Sequence, residues 1–249
     1  VLVDPPLSGV RNMARDHALA EGLEAGTGVL RLYRWATPTV SFGRNEPVHG
    51  RYDRDRARLR GIEFVRRPTG GRAVLHDREL TYALVAPYRG LRGPRETYGA
   101  VNAGLVKSLA SLGVRAELAP GDGATPPDAG PCFRRAAAGE VTVGGRKLVG
   151  SAQVRIGGAL LQHGSLLLGP GQGVLEELGA PPAGGGGQPT SLLEVLGAEP
   201  AMERVVAALL GGLEAELGGS WEPPVEGTAG AFEEKRVSFY HAEAWTWRR

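Results

Sequence analysis

The chain has a single cysteine, Cys132, in 249 residues. No internal disulfide can form, and a zinc site built on cysteines is excluded. Lysine is almost as scarce, with only Lys107, Lys147 and Lys235 beside 26 arginines. Asparagine occurs three times and glutamine four times. That shortage, on an Arg-, Ala- and Gly-rich background, is one habit of heat-adapted or GC-rich sources. No apolar run approaches the roughly 18 residues of a spanning helix. The opening VLVDPPLSG lacks the charged and apolar regions of a signal peptide. A cytoplasmic chain with no membrane partner is therefore expected. Neither sign of charge dominates: the formal net charge is +2, too mild to demand nucleic acid.

What is present is enough for a folded protein. The apolar fraction is 42%, sufficient for a sizeable core. The 39 glycines and 18 prolines cluster between periodic segments, which reads as long loops rather than disorder. Against the biased background, Cys132, Lys147, Gln153, Gln162 and His163 fall in one short stretch. Scarce polar types gathered together point to chemistry without saying which.

Ser8 is placed to cap a helix running to about Gly26. VLRLYRW (29–35) and TVSFG (39–43) read as strands, and RYDRDRARLR (51–60) as a charged helix or turn. Strands follow at 62–67, 72–76 and 79–86, then a helix over 97–113 from the spacing of Val101, Leu105, Leu109 and Leu112. A loop of Pro, Gly and Asp fills 119–131. EVTV, RKLVGSAQVRI and ALLQHGSLLL, joined by Gly144-Gly145 and Gly157-Gly158, form a three-strand meander. A second loop spans 180–190, and Ser191 to Glu194 has the spacing of a capping box. A last helix carries Met202, Val205, Val206, Leu209, Leu210 and Leu213 on one stripe. The expected class is α+β, a mixed, largely antiparallel sheet flanked by helices. Residues 1–190 form the main domain and 191–249 a helical extension packed on it.

Three groups of residues invite a functional reading, each with a plainer alternative. In RRPTGGRAVLHD, Gly70-Gly71 can turn sharply and offer backbone N–H groups to an anion, with Arg66, Arg67 and Arg72 supplying charge. The alternative is a hairpin turn between solvated arginines. Cys132, beside Arg134-Arg135, is either an activated thiol or a small core residue. In a regular strand Lys147, Val149, Ser151 and Gln153 share a face. The turn at 157–158 pairs Gln153 with Gln162, so Lys147, Ser151, Gln153 and Gln162 line a polar pocket or a solvent-facing side. The same register pairs His163 with Ala152 on the other face, unless a bulge at Gly150 or Gly164 intervenes. His17, His49 and His241 read as structural or surface residues.

RRPTGGRAVLHD followed by ELTYAL, then GRKLVGSAQVR, then LLQHGSLLL, resembles the lipoate–protein ligase A, biotin ligase and octanoyltransferase superfamily. NMARDHAL and LRLYRWATPTVSFGR match as well, so the likeness runs from about residue 10 to 170. The ligase pattern RRxSGGGAVFHD is altered here to Pro68-Thr69 and Arg72, and the chain is short for the ligases' accessory domain. With PCF at 131–133 and GRK at 145–147, the chain looks like the LipM-type octanoyl-[acyl carrier protein]:protein N-octanoyltransferases. Glu46, where relatives often carry Gln, and the RRAAAG stretch at 134–139 depart from the pattern.

The resemblance implies Cys132 as thiol nucleophile and Lys147 as its catalytic partner. It implies acyl-group contacts from Arg67, Gly70, Gly71, Arg72, Val74 and His76, and from Gly150, Ser151, Gln153, His163 and Gly164. It implies acyl carrier protein as donor, and as acceptor the lipoyl domain of a glycine cleavage H protein or a 2-oxoacid dehydrogenase E2. No cofactor or metal is required, because a thioester donor arrives activated. A monomer is expected, with a narrow aliphatic tunnel and an electropositive rim from Arg66, Arg67, Arg72 and Arg134. The alternatives are an ATP-dependent lipoate ligase, an amidotransferase between lipoyl domains, and a non-catalytic binder.

Overall fold

Alternating apolar residues and two Gly-Gly turns commit the middle of the chain to strands, and apolar stripes of period 3.6 place helices around them. The computed structural model describes the chain except residues 89–92, 121–129, 182–186, 225–229 and 249. The first half runs β1 (Leu2–Val3), α1 (Gly9–Glu21), β2 (Val29–Tyr33), β3 (Thr39–Phe42), α2 (Arg54–Leu59), β4 (Glu63–Arg66), β5 (Val74–His76), β6 (Glu79–Pro87) and α3 (Pro94–Ser111). The second runs β7 (Glu117–Leu118), a 3-10 turn at Cys132–Arg134, β8 (Val141–Val143), β9 (Arg146–Ile156), β10 (Ala159–Leu167), α4 (Val174–Glu177), α5 (Leu192–Leu196), α6 (Met202–Leu217), α7 (Gly230–His241) and α8 (Glu243–Thr246).

Seven strands form one sheet in the order β1-β2-β6-β10-β9-β8-β7, and β4-β3-β5 form a smaller one. Among the strands of the described residues, β1 with β2 and β3 with β4 pair in parallel and the rest antiparallel. The class is α+β, as expected. The expected helix to Gly26 stops at Glu21, and β2 stops at Tyr33. The expected 119–131 loop lies mostly outside the described residues, as does the centre of 180–190. The capping box is half made: Ser191 Oγ accepts the Glu194 amide at 3.4 Å, but the Glu194 carboxylate turns to Thr190 and Arg146.

The large sheet is covered on both faces. On one side Leu80, Tyr82 and Leu84 pack with Leu105 and Leu109 of α3 and Leu209 and Leu213 of α6. On the other, Ala83, Val85 and Leu161 pack with Met13 and Leu19 of α1 and Tyr240 of α7. Each of the leucines, Val85 and Met13 contributes roughly 1.5–3 kcal/mol by leaving water. No helix among the described residues is long and apolar enough to cross a membrane.

A buried charge network ties α1 to β2. Arg31, fully buried, donates to Asp4 at 2.6 Å, Asp16 at 2.7 Å and Asn12 Oδ1 at 2.7 Å. Asp16 also accepts from the Tyr33 hydroxyl at 2.8 Å. Burial works against the Asp16 anion, but Arg31 and the His163 hydrogen bond hold its carboxyl below the ordinary value. His17 bonds Tyr240 at 2.8 Å and so pins α7 to α1, a structural role.

The register decides which residues meet. Gln153 stands opposite Gln162, and His163 opposite Ala152, as the turn at 157–158 requires. Between β8 and β9 the register shifts: Val141 pairs with Val149, but Thr142 pairs with Lys147. Leu148 is therefore an extra residue, a bulge that flips Lys147 to the face opposite Val149.

Candidate active site

The bulge at Leu148 corrects the expectation that Lys147 shares a sheet face with Ser151, Gln153 and Gln162. Those three point toward α3. Gln153 donates to Gln162 at 2.7 Å, Gln162 to the Tyr82 hydroxyl at 3.0 Å, and Ser151 to Asn102 at 3.1 Å. Lys147 instead lies on the Gly150 side, where its Cε would sit 3.0 Å from any Cβ on Gly150. His163, expected on the face away from Lys147, thereby joins it.

One cavity of about 380 Å³ brings the candidates together. Cys132, Lys147, Arg67, Gly70, Gly71 and Arg72 line it. So do Val74, His76, Gly150, Ser151, Gln153, His163 and Gly164. Ser151 and Gln153 border it beyond Val149, where side chains rather than β8 meet the Ser151 backbone: Tyr98 donates to its carbonyl at 3.3 Å and its amide donates to Glu140 at 3.4 Å. The expected aliphatic tunnel is not what the wall shows. Val74 and Met13 are joined by Tyr33, Trp35, Tyr98 and a row of hydroxyls at Ser41, Thr81 and Ser165.

Cys132 opens the 3-10 turn and is half-buried. Its amide donates to the Ala73 carbonyl at 3.0 Å, which ties the turn to the glycine loop. Its own carbonyl accepts from Lys147 Nζ at 3.0 Å and from Arg72 at 3.3 Å. Lys147 Nζ lies 3.5 Å from Cys132 Sγ. The same ammonium pairs with Glu140 Oε2 at 2.7 Å, and both side chains are buried. Glu140 is a site residue that its sequence position does not single out. It sits just before β8, where an acidic residue looks solvated, and its link to Lys147 depends on the bulge.

The arginines also depart from expectation. Arg66, Arg67 and Arg72 are buried, at most 5% exposed, and make no rim. Arg66 donates to the carbonyls of Gly43, Glu46 and Thr246. Arg67 donates to those of Ser41, Gly70 and Arg72. Burial pushes the Arg67 guanidinium below its ordinary value, with Cys132 and Glu46 opposing. These cations hold a loop whose carbonyls have no strand partner. Gly71 has φ of 91°, and a Cβ there would meet Arg67 at 2.7 Å. A Cβ on Gly43 would collide with the Gly71 carbonyl oxygen. Of the expected rim, Arg134 is paired with Glu176, while exposed Arg135 borders the cavity.

Two hydroxyl–imidazole–carboxylate chains stiffen the cavity floor. Thr69 Oγ1 lies 2.7 Å from His163 Nε2, and His163 Nδ1 lies 3.0 Å from Asp16. The acceptor-only carboxylate fixes Nδ1–H as the donor to Asp16 and leaves Nε2 toward the threonine hydroxyl. Ser41, His76 and Glu79 repeat the pattern, with His76 2.7 Å from Ser41 and 2.6 Å from Glu79. His76 stacks on Trp35 at 3.8 Å, and burial lowers its pKa against the opposing pull of Glu79.

Glu46, the departure noted above, is buried under the glycine loop. It accepts from the Gly43 amide at 3.0 Å and the Tyr52 hydroxyl at 3.2 Å. Burial raises its pKa despite Arg67 and these donors. The folded chain thus resists ionising it more than the unfolded chain does. Below pH 4.5 neither state is ionised and nothing is lost; as pH rises through the raised value, stability falls. Glu46→Gln, which keeps an acceptor for Gly43, is expected to melt higher than the parent at pH 7 and equally near pH 4. Parallel calorimetric melts at both pH values check this.

Comparison with known proteins agrees with this geometry. Residues 8–214 match the family described as the lipoyl protein ligase A/B catalytic domain. The chain is 38% identical to octanoyltransferase LipM of Kyrpidia tusciae, over 97% of this chain and 96% of that one. It is 45% identical to octanoyltransferase LipM of Symbiobacterium thermophilum, over 64% of this chain and 61% of that one. Among solved structures, a lipoate-protein ligase A bound with ATP superposes with a TM-score of 0.83 at 20% identity, covering 99% of this chain and 97% of that one. The bipartite lipoate protein ligase of Thermoplasma acidophilum, described with its E2 lipoyl domain, gives 0.77 at 20% identity, covering 99% and 97%. The structural likenesses establish the fold.

Proposed function

The chain belongs to the lipoyl protein ligase A/B catalytic domain family, and from that premise we propose that it moves an octanoyl group from acyl carrier protein to a lysine of a lipoyl domain, through a thioester on Cys132. The observation that carries this reading is a half-buried thiol 3.5 Å from a buried lysine ammonium at the wall of a cavity. An adenylating ligase would use Lys147 to hold an acyl-adenylate and would leave the Cys132 thiol without a task. The likeness to the LipM octanoyltransferases supports the same reading.

In the first half-reaction the Cys132 thiolate attacks the octanoyl thioester carbonyl. A C–S bond to Cys132 forms, and the bond to the carrier's phosphopantetheine sulfur breaks; that sulfur leaves as a thiol after taking a proton. In the second, the neutral amine of the acceptor lysine attacks the acyl-enzyme, loses a proton, and expels the Cys132 thiolate. Lys147 assists both steps electrostatically, because an ammonium near the sulfur favours thiolate and the developing oxyanion. The acyl chain lies in the cavity against Val74 and His76 over the Gly70-Gly71 turn. The donor's thioester is already activated, so the reading needs no nucleotide, cofactor or metal. The enzyme acts in the cytoplasm as a monomer, with the lipoyl domain of an H protein or an E2 subunit as acceptor.

The test is transfer from octanoyl carrier protein to an isolated lipoyl domain, in EDTA and without ATP, read by intact mass. The expected result is one octanoyl group added to the acceptor. A requirement for MgATP and free acid would replace the reading with a ligase. Transfer only from an octanoylated lipoyl domain would replace it with an amidotransferase.

A further inference from the structure

Lys147 has three ammonium protons and three acceptors. Nζ lies 2.7 Å from Glu140 Oε2, 3.0 Å from the Cys132 carbonyl and 3.5 Å from Cys132 Sγ. A neutral amine offers two protons and a lone pair, and the lone pair would face an acceptor unless the Cys132 thiol kept its own proton and donated it, which leaves no thiolate. Glu140 is itself held: Oε2 accepts the Ala137 amide at 2.7 Å, and Oε1 the Ser151 amide at 3.4 Å. We infer that Glu140 is a positioning residue, which keeps Lys147 protonated in its buried setting and aims it at Cys132. This role rests on the proposed transferase reading.

A lysine ammonium buried without a counter-charge tends to shed its proton, whereas a carboxylate in contact favours the charged form. Other charged groups surround the pair without taking the place of Glu140. Arg72 reaches the Cys132 carbonyl from the glycine loop, and Arg67 lies buried behind it. Arg135 and Tyr98 border the cavity. Glu117, Arg134 and Arg146 line a second cavity on the far side of Lys147. Arg146 is committed to Glu194 and Arg134 to Glu176, and Glu140 is the carboxylate in contact with Nζ. The aim comes from the backbone: Glu140 precedes β8 and Lys147 lies in β9, and the Leu148 bulge turns the lysine toward both Glu140 and the thiol.

The experiment has two arms on Glu140→Gln, Glu140→Asp and the unmodified protein. The first is the nitrogen-15 spectrum of the lysine ammonium groups near neutral pH. With only three lysines in the chain, it is sparse, and Lys147→Arg identifies the Lys147 signal. The unmodified protein is expected to show a slowly exchanging Lys147 ammonium. That signal should vanish in Glu140→Gln and return at least in part in Glu140→Asp. The second arm is the rate of Cys132 acylation by octanoyl carrier protein from pH 7 to 9. The rate for the unmodified protein is expected to change less than about threefold between pH 7 and 9, whereas Glu140→Gln is expected to be slower at pH 7 and to climb about tenfold or more by pH 9, as attack by a thiol without a neighbouring cation does.

A Lys147 ammonium signal that persists in Glu140→Gln overturns the inference. So does a uniform rate loss with an unchanged pH profile, which is what a merely structural role produces. If the unmodified protein is not acylated at all, the transferase reading fails. The ammonium spectrum still decides whether Glu140 holds the proton on Lys147.

Discussion

Cys132→Ala is expected to form no acyl-enzyme and to lose at least about a thousandfold in octanoyl transfer, as loss of a covalent nucleophile does elsewhere. Incubation of the parent with octanoyl carrier protein should add one octanoyl mass that hydroxylamine removes. The variant should add none. The substitution isolates chemistry from folding, because the contacts that fix the Cys132 backbone are not made by its sulfur. The amide bonds Ala73, and the carbonyl bonds Lys147 and Arg72. The residue is half-buried, so a modest change in stability of about 1 kcal/mol is expected. Undiminished transfer by a well-folded Cys132→Ala would remove both thioester mechanisms, transferase and amidotransferase alike.

The same residues show what the sequence disclosed and what it could not. Gly157-Gly158 defines a two-residue turn, so the Gln153–Gln162 and Ala152–His163 registers follow by counting. Lys147 defeats the counting. A two-residue period puts it beside Val149, but one extra residue in β9 reverses its side. Nothing local in RKLVGS announces that bulge, because it is set by where β8 begins relative to β9. Glu140 is hidden for the same reason, since its partner is seven positions away across a hairpin of irregular register. The arginines mislead differently. Composition reads Arg66, Arg67 and Arg72 as surface charge. In the fold, a loop rich in glycine and proline leaves carbonyls that no strand neighbour satisfies, and buried guanidinium groups donate to them.

The second large effect is expected from Lys147→Met, chosen because methionine keeps an unbranched stem and removes only the ammonium, whose Nζ lies 5.0 Å from the centre of the Phe133 ring. The ammonium is removed, and Glu140 is left as a buried carboxylate facing an apolar side chain. Glu140 retains the Ala137 and Ser151 amides, but they are neutral donors. Breaking a buried ion pair from one side costs about 3–5 kcal/mol, mainly because the remaining charge is stranded. In a chain of this size that corresponds to a fall in Tm of roughly 6–20 °C. Activity should fall as well, since no cation then lies within reach of Cys132 Sγ from β9. The double variant Lys147→Met/Glu140→Gln separates the two losses. Neutralising the stranded carboxylate should return most of the lost Tm, while transfer remains as low as in Lys147→Met. Calorimetric melts of the parent, both single variants and the double variant give the coupling directly. Equal melting of Lys147→Met and the double variant would mean that Glu140 does not depend on Lys147 for its charge. Recovery of transfer in the double variant would mean that Lys147 serves the fold and not the thiol.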